Sequence, residues 1–156
     1  MWKLTTCTAG QTQALGAQIG ARLGGGEVIA VTGPLGSGKT CLIEGIGAGL
    51  QVTGRITSPT FVLVRRYQGR VRLYHVDAYR LEDTEAALQI GLPELVQEDS
   101  VVAVEWADHI IEALPEDRLD IQMAHTPQGR SITLTPRSER WAAIVEELKT
   151  VACAGD

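Results

Sequence analysis

Eight consecutive residues, Gly33-Pro34-Leu35-Gly36-Ser37-Gly38-Lys39-Thr40, fit G-x-x-x-x-G-K-[ST] and could do chemistry on a polyphosphate. With no side chain at Gly36 or Gly38, the backbone can come close and turn successive N–H groups toward phosphate oxygens. Lys39 stands where an ammonium reaches the β- and γ-phosphates, and the Thr40 hydroxyl where it completes the shell of a Mg²⁺. Cys41 follows in the first turn of the expected helix, whose N-terminal partial charge adds to the attraction. The implied ligand is a nucleoside triphosphate with Mg²⁺.

A phosphate loop also needs an acid to help hold the metal, usually at the carboxyl end of a neighbouring apolar strand. Glu105 directly follows Val101-Val102-Ala103-Val104, and Asp77 ends the run Val71 to Val76. Ligands of α/β folds gather at that edge. One acid can therefore coordinate the metal, directly or through water, while the other orients an attacking water. Either could instead be an exposed strand-end carboxylate or a helix N-cap; spacing favours Glu105 for the metal. The chain has no Asn-Lys-x-Asp, and no Asp-x-x-Gly follows either acid-bearing strand, which points to ATP rather than GTP.

The elements that must position these groups can be read from periodicity. Glu27 to Val31 is a short apolar run suited to a buried strand, and Ile43, Ile46 and Leu50 form the stripe of a packed helix from Lys39 to about Leu50. Strand, glycine loop and helix are thus in the required order. Upstream, Thr8 to Gln11 fits a capping box, and Leu15, Ile19 and Leu23 predict a helix over 9–22. Phe61 to Tyr67 and Val71 to Val76 read as a hairpin across Gln68-Gly69-Arg70, and Leu119 to Met123 and Ser131 to Thr135 as another across Pro127-Gln128-Gly129. Ala86 to Ile90 reads as a short helix closed by Gly91 and Pro93, and Trp141, Ile144, Val145 and Leu148 as a last helix. Helices interleaved with strands and hairpins predict an α/β fold, with a mixed rather than wholly parallel sheet.

The 156 residues, 44% hydrophobic and 21% charged, suit a single domain over 1–156. No apolar stretch approaches the ~20 residues of a membrane span, and Met1 to Cys7 lacks an export signal. Cys7, Cys41 and Cys153 are scattered, without C-x-x-C spacing, which suits a reducing, cytoplasmic setting. A net charge of −5 does not describe a chain that grips nucleic acid by itself. Arginine is nevertheless concentrated at Arg55, Arg65, Arg66, Arg70, Arg72 and Arg80, as either a solvated face or a docking surface for phosphates or an acidic partner.

The phosphate loop is followed in order by Thr57-Ser58-Pro59-Thr60-Phe61, by His75-Val76-Asp77-Ala78-Tyr79-Arg80-Leu81 and by Val104-Glu105-Trp106. This set resembles the TsaE family, bacterial ATPases needed for N6-threonylcarbamoyladenosine at position 37 of certain tRNAs, and the likeness covers nearly the whole chain. It implies a P-loop NTPase-like fold, ATP bound along Gly33 to Cys41, and Mg²⁺ on Thr40 and Glu105. It further implies that Asp77 supports hydrolysis with Lys39 and Glu105, and that Thr12 and Arg130 contact ATP, although both residues also read as structural. Thr57, Ser58, Pro59 and Thr60 would form a switch-like loop, with Tyr79, Arg80 and Trp106 linked to the switch or to partners. His75 reads as a packed or hydrogen-bonded strand histidine, and Trp106 has the alternative of a core-filling indole. The implied partners are TsaD and TsaB, on which such a subunit docks, with tRNA contacted inside the assembly. ATP hydrolysis would be weak alone and would reset the complex. A small-molecule P-loop kinase and a non-hydrolysing ATP-sensing adaptor are the competing readings.

Overall fold

A computed structural model describes residues 1–56 and 63–154. Seven strands form one sheet: β1 (Trp2–Thr6), β2 (Val28–Thr32), β3 (Val64–Tyr67), β4 (Arg72–Asp77), β5 (Ser100–Glu105), β6 (Leu119–Thr126) and β7 (Gly129–Pro136). Their order is β1-β7-β6-β2-β5-β4-β3. The central four, β6, β2, β5 and β4, run parallel, while β1 with β7, β7 with β6, and β3 with β4 pair antiparallel. The expected mixed α/β sheet is what the chain forms.

Alternation along the strands sorts the core into two layers. Ile29, Val31, Leu73, Val101 and Ala103 pack with α1 (Ala9–Gly20), α2 (Lys39–Gly49) and α5 (Glu139–Ala154). Val28, Ala30, Val76, Val102 and Val104 pack with α3 (Thr84–Gln89), α4 (Leu92–Leu95) and a 3-10 helix, Ala107–Ala113. With both faces covered, β2 and β5 read as unbroken apolar runs, as parallel strands should. Leu42, Ile43 and Ile46 fasten α2 to its layer with no exposed surface, and truncating any one to Ala costs about 2–5 kcal/mol.

α1 and α2 lie side by side and parallel. A Cβ on Gly16 would overlap the Leu42 carbonyl, one on Gly45 the Gln13 carbonyl, and one on Gly49 the Ala17 carbonyl. The glycines therefore let the two backbones touch, and both helix N-termini face the carboxyl edge of the sheet.

Several sequence expectations shift. β1 is an addition: its inward positions alternate over only five residues, and it gains its ladder from β7 near the other end of the chain, as at Trp2↔Leu134, a pairing invisible to local pattern. The strand expected from Phe61 is described from Val64, and Phe61 itself lies outside the described residues. Pro93 does not close a helix but opens α4, where its missing N–H costs nothing. The 3-10 helix and α4 are likewise additions to the expected elements. The arginine cluster is divided: Arg70 donates to the Gly20 and Leu23 carbonyls ending α1, and Arg72 pairs with Asp99 at 3.8 Å. Arg55, Arg65, Arg66 and Arg80 are exposed. No helix among the described residues is long and apolar enough to cross a membrane.

Candidate functional site

The phosphate loop joins β2 to α2. Gly36 and Gly38 have φ of 75° and 99°, a left-handed backbone that L-residues with side chains adopt only at a cost. Gly38 is the N-cap of α2 and offers no side-chain acceptor, so among the described residues no side chain caps the first amides of this helix, which can face a ligand. The outer side of the loop is held from the β6–β7 hairpin. Arg130 donates to the Gly36 carbonyl at 3.0 Å, and His125 Nε2 lies 3.3 Å from the Leu35 carbonyl. Since carbonyl and N–H oppose each other across a trans peptide, carbonyls drawn outward leave the following amide directed inward.

Lys39 is buried, with Nζ donating to the Gly33 and Pro34 carbonyls at 2.8 Å each. The ammonium is thereby folded over the loop it serves. It also lies 4.1 Å from the Trp106 ring centroid, a cation–π distance. Burial lowers the Lys39 pKa, opposed by the Glu105, Asp108 and Asp77 carboxylates. Trp106 reaches this position from a left-handed backbone, φ 57°, at a cost of about 1–2 kcal/mol. Strain at a bulky residue beside a phosphate loop marks a constrained position.

Asp77 and Glu105 are the last residues of β4 and β5, paired directly across the parallel ladder. Strand alternation puts both on the face covered by α2. Glu105 Oε1 accepts from the Thr40 hydroxyl at 2.8 Å, and Oε2 lies 2.6 Å from His75 Nε2. Burial alone would raise the Glu105 carboxyl, but His75, the Thr40 hydroxyl and the Lys39 ammonium hold it below the ordinary carboxylate value. It is thus an ionised oxygen donor at the strand tip. Asp77 Oδ1 accepts from the Tyr79 amide at 3.0 Å, which turns the chain and leaves the carboxylate facing the cleft.

These groups enclose a cleft of about 550 Å³, with Leu35, Gly36, Gly38, Lys39, Thr40 and Cys41 on one wall and Asp77, Tyr79, Glu105 and Trp106 on the other. An octahedral Mg²⁺ with ~2.1 Å bonds needs neighbouring oxygens roughly 3 Å apart. The Thr40 and Glu105 oxygens already stand at 2.8 Å, so the donor set and its spacing fit that ion.

Other expected residues fall as follows. Thr12 and Arg130 do not line this cleft but a second recess of about 180 Å³, which shares Gly38 and Cys41 with it. The Thr12 hydroxyl is tied to Thr6 at 2.7 Å, and Arg130 donates to the Gly36 carbonyl of the loop and to the neighbouring Gly129 carbonyl. Burial, then Glu44, raises the Cys41 thiol, which donates to the Ala9 carbonyl at 3.4 Å. Tyr79 is exposed and its ring lies 5.0 Å from Trp106; Arg80 is exposed beside it. Thr57, Ser58, Pro59 and Thr60 lie outside the described residues. Sequence reasoning missed His109, whose ring lies tilted beside Trp106 and Tyr79 at centroid distances of 5.8 and 6.2 Å, and His125, which reaches the loop from β6. Neither carries a local signal, because each is placed by a turn or register distant in sequence.

Residues 6–132 match the family model described as Threonylcarbamoyl adenosine biosynthesis protein TsaE. A Treponema pallidum protein named tRNA threonylcarbamoyladenosine biosynthesis protein TsaE is 38% identical over 128 residues, covering 81% of this chain and 95% of that one. A Bacillus subtilis protein of the same name is 37% identical over 148 residues, covering 94% and 92%. The crystal structure of YdiB from Bacillus subtilis superposes with a TM-score of 0.82 at 33% identity, covering 97% of this chain and 95% of that one. The chain belongs to the TsaE family.

Proposed function

We propose that this chain is a Mg²⁺-dependent ATPase subunit of N6-threonylcarbamoyladenosine biosynthesis, acting in the cytoplasm and docking on a TsaD–TsaB pair that carries the tRNA. The observation that carries the reading is the Thr40–Glu105 hydrogen bond at the mouth of the phosphate loop, in a chain whose relatives bear the name of that pathway. The loop amides and Lys39 bind the polyphosphate and orient it. Thr40 and Glu105 would hold Mg²⁺, which when bound neutralises the β- and γ-oxygens.

Asp77, on the opposite wall, orients a water in line with the γ-phosphorus. Water oxygen bonds to phosphorus as the bond to the β–γ bridging oxygen breaks; the bridging oxygen keeps that electron pair on ADP, and the water proton passes to the phosphate product or to solvent, giving ADP and inorganic phosphate. Trp106 and Tyr79 form the apolar rim that limits access of bulk water. Release of the γ-phosphate frees the loops it held, and the cleft opens directly onto the exposed Tyr79 and Leu35, through which a docked partner could sense the change.

Phosphate release by the purified chain, measured with and without TsaD and TsaB and in Mg²⁺ or EDTA, tests this. Slow Mg²⁺-dependent release that rises with the pair is expected. A labelled organic phosphoester in place of inorganic phosphate would make the chain a kinase. Tight ATP binding with no turnover in the assembly would make it a sensing adaptor.

A further inference from the structure

His75 is fully buried and does not line the cleft, yet it touches the residue on which the cleft depends. Residues 73, 75 and 77 of β4 face α2, as do 101, 103 and 105 of β5. In register, His75 stands opposite Ala103 and Asp77 opposite Glu105. His75 is therefore the diagonal neighbour of Glu105, and the small Ala103 leaves its ring room to reach across. Nε2 lies 2.6 Å from Glu105 Oε2. A carboxylate oxygen accepts from an imidazole N–H, so the tautomer with its proton on Nε2 makes this bond. Nδ1 has no hydrogen-bond partner among the described residues.

Packing does not explain a histidine here. Its strand neighbours on this face include Leu73 and Val101, both fully buried. An apolar side chain would fill the layer without the cost of burying a ring nitrogen unpaired. The imidazole is explained by the carboxylate instead. A Glu side chain at a strand tip can rotate; with Oε2 pinned inside the protein, Oε1 is fixed toward Thr40 and the cleft.

We infer that His75 is a positioning residue of the metal-nucleotide site, fixing the Glu105 carboxylate so that its second oxygen faces Thr40 and Mg²⁺. This rests on the proposed reading of the cleft as a Mg²⁺-ATP site. Outer partners that orient a metal-holding group act on metal affinity through it.

The test is the affinity of the full chain for a fluorescent ATP analogue, in Mg²⁺ and in EDTA. His75→Ala should weaken binding in Mg²⁺ on the order of tenfold or more, while changing binding in EDTA by less than about twofold. His75→Gln, whose amide can donate to the same oxygen, should recover most of the loss. Equal losses with and without Mg²⁺, or none in Mg²⁺, would overturn the inference. So would failure of His75→Gln to do better than His75→Ala. Should His75→Ala not fold, imidazole ¹⁵N spectra of the unmutated chain decide. A protonated, strongly hydrogen-bonded Nε2 disturbed by Glu105→Gln is expected, and an Nε2 indifferent to that change overturns the role. An unmutated chain binding the analogue equally in both conditions would instead remove the proposed function, and the inference with it.

Discussion

α1 and α2 start at the same edge of the sheet, lie in contact, and end their first turns in opposite states. α1 closes its own N-terminus: Thr8 Oγ1 accepts from the Gln11 amide at 3.1 Å, and Gln11 Oε1 accepts from the Cys7 amide at 2.6 Å. α2 begins at Gly38 with no side-chain cap, beside a buried lysine. The amide groups and the dipole are common to both. A helix N-terminus in this fold becomes a site only where the chain withholds its own acceptors and gathers charge around the gap.

The same contrast holds between the two ends of the sheet. At the amino edge, buried Glu27 accepts from the Gly24 and Gly25 amides at 3.1 and 2.7 Å, and Arg70 satisfies the carbonyls ending α1. Those charges are committed to backbone. At the carboxyl edge, Lys39, Thr40 and Glu105 bond mainly to one another and to the loop, groups with which phosphate and metal can compete. Burial of charge alone does not distinguish structure from function; the exchangeability of the partners does.

The widest separation should come from Asp77. Asp77→Ala is expected to lower phosphate release in the assembled complex by roughly 10²–10⁴-fold, the range of a lost general-base or water-orienting group. Nucleotide affinity should stay near that of the unmutated chain, because Asp77 makes no hydrogen bond to the loop among the described residues. Normal turnover in single-turnover assays would end its assigned role.

Lys39→Met comes next. It should weaken ATP binding on the order of 100-fold, from the loss of charge-assisted contacts. Its effect on folding should have the opposite sign. The Lys39 pKa is lowered on folding, first by burial, so charging it in the folded state costs free energy at any pH below its folded pKa. That penalty fades as pH rises through the folded value toward the unfolded one. Thermal scans near neutral pH should therefore show Lys39→Met melting no lower than the unmutated chain. Such a site gives up stability for function, and a sharp drop in melting temperature would contradict it.

Much of this architecture is legible in the sequence alone. The loop, its flanking strand and helix, both strand-end acids and the two hairpins follow from motifs and short-range periodicity. What stays hidden there depends on register between distant segments. β1 is too short to announce itself and exists because β7 supplies its ladder. The His75–Glu105 bond joins a diagonal pair across β4 and β5, which no spacing within one strand displays. The arginine cluster looks continuous in sequence, yet Arg70 and Arg72 turn to helix ends and to Asp99 while Arg65 and Arg66 stay exposed. Residue type alone leaves Trp106 open to a functional or a core role. Its left-handed backbone and its ring over Lys39 put it in the lining of the cleft.

On the structural side of the contrast, Glu27→Ala should remove two charge-assisted hydrogen bonds and leave the Gly24 and Gly25 amides short of an acceptor, costing about 2–3 kcal/mol. For a chain of this size that is roughly 4–12 °C in melting temperature, with nucleotide affinity per folded molecule unchanged.

The smallest effect is also the sharpest comparison. Thr8→Ala removes the cap of α1 and should cost about 1 kcal/mol, seen as a small shift in the denaturant midpoint at constant slope. The uncapped α1 would then offer open amides close to those of α2, yet among the described residues it has no lysine folded over it and no acid at an adjoining strand tip. If open amides alone made a phosphate site, Thr8→Ala would bind a second equivalent of inorganic pyrophosphate in a calorimetric titration. Unchanged stoichiometry is expected, because the gap in the helix cap supplies the donors while Lys39, Thr40 and Glu105 supply the field that makes them selective.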